Sequence, residues 1–169
     1  MHTIKATLLA SLFAASFNVV AEVSVTNPWV RGTVPKQTST GAFMTLKSDQ
    51  ATQLIGASSP VAGLVEIHEM AMDGQTMKMR AIPAINLPAN TAVELKPGSY
   101  HIMLMQLKQP LEASSKVPVT LNFVNAAKQK ESVEIQAEVR AMNHQPEHAH
   151  KHGERHEGKH HHMHSGSKH

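Results

Sequence analysis

The chain has 169 residues, 41% of them hydrophobic and 17% charged, with a formal net charge of +3. That is room for one domain with appendages, and the composition fits neither a disordered chain nor a coiled coil. The lack of any cysteine excludes a disulfide framework, thiol catalysis, cysteine zinc fingers and a blue-copper site, which needs a thiolate. Thirteen His and ten Met stand against one Trp, one Tyr and four Phe. His and Met are the two neutral side chains that bind soft or borderline metals.

Residues 1–21 read as a cleavable secretory signal. Lys5 supplies the positive end, Ala6 to Phe17 a short apolar stretch, and Val19-Val20-Ala21 the small residues that precede cleavage before Glu22. The apolar run falls short of the ~20 residues needed to span a bilayer, so no stable membrane insertion is expected. The product is expected to be exported and soluble. No Lys/Arg cluster exists to follow a phosphate backbone, which excludes nucleic acid as the partner.

From 22 to 141 the chain alternates apolar and polar residues in short runs broken by Pro, Gly, Asn and Ser. Strands are predicted at Glu22–Thr26, Ala42–Lys47, Gln53–Ala57, Gly63–Met70, Thr76–Ile82, Ala92–Leu95, His101–Leu107, Val117–Val124 and Ser132–Arg140. No segment after residue 21 sustains a helical period. Short strands at regular spacing predict an all-β domain, an antiparallel sandwich or barrel.

The stretch Glu66 to Arg80 reads as a hairpin turning at Asp73-Gly74, a strong type I′ signal. A turn there sets cross-strand partners whose numbers sum to 147. His68 would face Met79, Met70 would face Met77, Glu69 would face Lys78 and Val65 would face Ile82. His68, Met70, Met77 and Met79 would then share one face, with opposed Cβ atoms ~5 Å apart. Farther on, His101, Met103 and Met105 share one face of a strand, while Ile102 and Leu104 take the other. Whether that strand neighbours the hairpin is not legible. Thioether sulfur is a poor ligand for Zn²⁺, Mg²⁺ or Ca²⁺ but suits Cu(I). The competing reading is that the methionines only fill a core.

Residues 142–169 form a second region, without Val, Ile, Leu, Phe, Tyr or Trp, in which ten of 28 residues are His. Such a tail cannot bury enough apolar surface to offset chain entropy and is expected to be disordered without metal. His144, His148, His150, His152, His156, His160, His161, His162 and His164 are candidate secondary ligands for Cu(II) or similar ions.

No enzyme is indicated. His68-Glu69-Met-Ala-Met72 starts like a zinc-protease motif, but Met72 stands where the second His belongs. Neither a nucleophile elbow nor a phosphate-cradling glycine loop is present.

The spacing His68-x10-Met79-x21-His101-x-Met103 resembles the motif of the PCuAC-type periplasmic copper(I) chaperones at every position. Asn27-Pro-Trp-Val-Arg31, Thr40-Gly-Ala-Phe-Met-Thr-Leu46 and Pro97-Gly-Ser-Tyr-His-Ile-Met-Leu104 are similar to the family's flanking segments. The resemblance covers roughly residues 22–140. It implies a cupredoxin-like, antiparallel Greek-key β-sandwich, with His68, Met79, His101 and Met103 as Cu(I) ligands. It also implies delivery of copper toward the CuA centre on subunit II of cytochrome c oxidase, alongside Sco-type proteins. The rival reading is a periplasmic protein that sequesters copper, for which the ten tail imidazoles would add capacity.

Overall fold

Strict alternation places the core. In Val117-Pro-Val-Thr-Leu-Asn-Phe123 every second residue, Val117, Val119, Leu121 and Phe123, is fully buried, and the residues between face outward. The computed structural model describes residues 22–142 and is all-β there, so the leader at 1–21 and the His-rich tail from residue 143 on lie outside the described residues. The strands are β1 (Val23–Arg31), β2 (Ser39–Ser48), β3 (Thr52–Ser58), β4 (Ala62–Asp73), β5 (Thr76–Ala81), β6 (Ile85–Leu87), β7 (Ala92–Leu95), β8 (His101–Leu107), β9 (Lys116–Asn125) and β10 (Lys130–Arg140).

Hydrogen bonding orders them β5-β4-β8-β2-β1-β10-β9-β3-β6, with β7 also on β2. Two short links force this path to fold over. Residues 59–61 join β3, near one end of the order, to β4, near the other. Four residue steps reach at most about 14 Å, and stacked sheets lie ~10 Å apart. Residues 82–84 tie β5 to β6 in the same way. The result is a cupredoxin-like sandwich whose core joins Val30, Leu46, Ile67, Ile102 and Leu104 to Leu54, Val119, Leu121 and Phe123.

Each predicted strand is present, with three differences. β1 does not stop at Thr26: a bulge between Thr26 and Trp29, with Asn27 at φ 51°, absorbs the Asn-Pro pair and lets pairing with β2 resume. β6 was not predicted, because three residues are too few to show a period; Ile85 and Leu87 are buried and Asn86 exposed. Among the strand ladders β1 with β10 is parallel and the others antiparallel, so the sheet is mixed rather than purely antiparallel.

Leu104 is fully buried, on the inner side of the strand that carries His101 and Met103. Leu104→Ala is expected to cost about 2–5 kcal/mol in a denaturant melt. A loss below about 1 kcal/mol would contradict this packing.

Candidate metal centre

The hairpin turns one residue later than its sequence signals. Gly74 and Gln75, not Asp73 and Gly74, are the turn residues, and Asp73 pairs with Thr76. Of the two, only Gly74 has a positive φ, 64°, the pattern of a type II′ rather than a type I′ turn. Partner numbers therefore sum to 149, not 147. His68 lies opposite Ala81, Met70 opposite Met79 and Met72 opposite Met77. Glu69 pairs with Arg80, at 2.6 Å, instead of Lys78, which turns to Asp73. Val65 sits opposite Leu104 rather than Ile82. A shift of two preserves every face, so His68, Met70, Met77 and Met79 still share one side.

The strand beside the hairpin is β8. β4 pairs with β5 along its outer half and with β8 along its inner half, and the two ladders meet at His68. There His68 lies directly opposite His101, with ring centroids 5.7 Å apart, edge to face. Met103 is one same-face step inward of His101, opposite Glu66, and Met79 is one step outward of the residue opposite His68. All four expected ligands thus occupy one face, and the opposite face of the same strands carries Ile67, Ile102 and Leu104 into the core. Met105 continues the row, opposite Leu64.

Each imidazole has one nitrogen engaged and one left over. His68 Nε2 lies 2.8 Å from Glu66 Oε2; an ionised carboxylate only accepts, so in the neutral ring Nε2–H donates and Nδ1 keeps its lone pair. His101 Nδ1 lies 3.0 Å from the Ser99 carbonyl, so Nδ1–H donates and Nε2 keeps its lone pair. Both lone-pair nitrogens, His68 Nδ1 and His101 Nε2, are buried without a hydrogen-bond partner. A buried unsatisfied polar atom costs about 1–3 kcal/mol, and a metal ion is one partner that would relieve both. Burial lowers the His101 pKa below the ordinary histidine value, against some opposition from the Ser99 bond and with smaller help from Arg31 and from repulsion by His68 whenever that ring is protonated. The ring is therefore held in its neutral, ligating form.

Thioethers have to complete any such site, because no three His, Cys, Asp or Glu come together among the described residues. A cleft of about 330 Å³ brings Met70, Met79, His101 and Met103 together with Arg31 and Phe43. Met79 is half-exposed at the cleft edge and His101 is buried. Phe43 stacks on Trp29 at 4.4 Å, lies 6.2 Å from the His101 ring and carries the Arg31 guanidinium 5.7 Å from its centroid. Gly41 makes room for that ring: a Cβ there would sit 2.7 Å from Phe43 Cζ.

Glu66 and Arg31 were not foreseen as parts of the site. The Glu66-x-His68 spacing carried the signal for the first, since residues two apart on a strand share a face. Arg31 reaches the site through a pairing that the sequence does not display. The tail candidates His144, His148, His150, His152, His156, His160, His161, His162 and His164 lie outside the described residues.

Two unsatisfied imidazole nitrogens amid thioethers on a cysteine-free β-sandwich make a neutral donor set of the kind that suits a soft ion. The model of the family described as "Putative lipoprotein LpqE-like" matches residues 23–139, and the chain belongs to this LpqE-like family. "Putative lipoprotein Lxx21020" of Leifsonia xyli is 33% identical over 102 residues, 60% of this chain and 61% of the relative. The chain thus spans about three fifths of the length of the curated relatives it matches. Among solved structures, the copper-bound PCuAC domain from PmoF2 is 24% identical with a TM-score of 0.55, covering 70% of this chain and 92% of that one. The apo-DR1885 structure from Deinococcus radiodurans is 28% identical with a TM-score of 0.53, covering 83% and 95%.

His101 should titrate below the usual ~6.5 in an NMR pH series, and a midpoint at or above that value would contradict its burial. The unfolded chain protonates first as pH falls, so stability is full above ~6.5 and declines as pH drops from there toward the folded pKa. Gly41→Ala should displace Phe43 and shift the His101 and Met103 side-chain resonances. Unchanged resonances there would show that the contact is not tight.

Proposed function

We propose that the protein is a copper chaperone of the periplasm that carries Cu(I) on His68, Met79, His101 and Met103. The observation that carries this reading is the pair of buried, unpartnered imidazole nitrogens on directly opposed residues, with methionines on either side. Imidazole and thioether are both neutral, and sulfur favours the soft monovalent ion. The two charged groups nearby are of opposite sign, the Glu66 carboxylate hydrogen-bonded to His68 and the Arg31 guanidinium lining the cleft beside His101. Such a site offers little to compensate the desolvation of a dication. The copper-bound PCuAC domain shares this fold, which supports the reading.

In this proposal the acceptor is the CuA centre on subunit II of cytochrome c oxidase, with Sco-type proteins as co-workers and the His-rich tail collecting Cu(II). The lipoprotein names of the relatives support export to the cell envelope. The 169 residues hold no cysteine for an S-linked lipid, and the proposed route is the cleavable signal at 1–21. The rival, copper sequestration, draws on the ten tail imidazoles. A deletion strain separates the two: loss of oxidase activity supports delivery, and copper sensitivity with normal oxidase supports sequestration.

The ligand assignment has its own test. Replacing Met79 and Met103 with Leu keeps similar bulk and should cost under ~1.5 kcal/mol of stability. Cu(I) affinity, measured against a chelator that outcompetes imidazole-only sites, should fall by more than the ~10–100-fold that loss of an outer-shell partner costs. Unchanged affinity would mean that the methionines only pack.

A further inference from the structure

The four proposed ligands leave a second pair of thioethers unexplained. Met72 and Met77 lie directly opposite each other in the β4–β5 ladder, on the face that carries His68. They are 62% and 45% exposed, so they fill no core. Three same-face rows follow one another toward the hairpin tip: His68 with Ala81, Met70 with Met79, then Met72 with Met77. Rows two residues apart are ~7 Å from each other, and opposed Cβ atoms are ~5 Å apart. Both spacings lie within the reach of two flexible thioether side chains.

Only the Met72–Met77 row stands clear of the sandwich, since Met70 still donates its backbone N–H to the Ser99 carbonyl and lines the cleft with Met79. β8 begins at His101, opposite His68, so the part of β4 beyond that point is paired in a ladder with β5 alone. All six residues of β5 are exposed. A projecting ribbon is a place where sheets ordinarily put charges, and its other face does so with Glu69, Arg80 and Lys78. Four methionines on the site's face do not serve solubility. Their shared property is a neutral, polarizable sulfur.

We propose that Met72 and Met77, backed by the Met70–Met79 row, form a second site for a soft monovalent ion. It is an outer station through which Cu(I) passes to and from the histidine pair. The inference rests on the reading of the inner site as a Cu(I) carrier. Transfer along the rows is ligand exchange: one thioether–copper bond forms as another breaks, the copper stays Cu(I), and no proton moves because thioethers carry none.

The test is a titration of the full chain, labelled with ¹³C at the methionine methyls, with Cu(I) under anaerobic conditions. The first equivalent should shift the Met79 and Met103 methyl signals, and further Cu(I) should shift those of Met72 and Met77. The M72L/M77L variant should keep the first event, lose the second, and release its copper to a competing chelator several-fold more slowly. Met72 and Met77 signals that stay put through excess Cu(I) would overturn the outer site, as would unchanged release in the variant. Movement of Met72 and Met77 with Met79 and Met103 stationary would keep the outer site and overturn the inner one.

Discussion

The register between β4 and β8 is the constraint on which the site depends. On the inner face it sets Ile67 against Ile102, both buried; on the outer face it sets His68 against His101. A slip of one residue would exchange these faces, burying imidazoles in the core and exposing isoleucine. Burying an Ile or Leu side chain is worth about 1.5–3 kcal/mol, and Ile67, Ile102 and Leu104 all draw on this register. Leaving two ring nitrogens unsatisfied costs about 1–3 kcal/mol each. The core term is the larger, so packing can hold the two rings together before any ion arrives. An ion bound only by the folded state would then add stability through mass action.

Facing rings alone would not define which nitrogens are offered. Glu66 fixes one tautomer and the Ser99 carbonyl fixes the opposite one, so His68 presents Nδ1 and His101 presents Nε2. Hydrogen bonds of this kind commonly orient ligating histidines and set their basicity. Around them, the Trp29–Phe43 stack, with Arg31 over Phe43 and Arg140 over Trp29, walls the side of the site away from the hairpin. Gly41 allows that wall to come close.

Much of this was legible in the residues, and the exceptions have physical causes. Alternation in Val117–Val124 and Ser132–Arg140 gave strands and faces, because period two survives any context that buries one side. The parity of His68, Met70, Met77 and Met79 was legible for the same reason. The register was not: Asp-Gly favours a turn centred on itself, but the Glu69–Arg80 pair and the Met70–Met79 pair are met by moving the turn one residue on, which Gly74 allows as readily. The neighbour relation of β4 and β8 was also hidden, since it depends on how the path of strands folds over and not on any local pattern. Glu66 was visible as a same-face neighbour of His68, yet its role follows only from the hydrogen bond that it accepts.

In the proposed site these two ring nitrogens, and not their hydrogen-bonded partners, hold the ion. Long-range ¹H–¹⁵N correlation of the histidine rings tests it most directly, because it distinguishes protonated from lone-pair nitrogen in each ring. The copper-free protein should show His68 protonated at Nε2 and His101 at Nδ1. One equivalent of Cu(I) should move the His68 Nδ1 and His101 Nε2 resonances while both N–H groups stay in place. Movement confined to the other histidines of the chain, or the reverse tautomers in these two rings, would contradict the account.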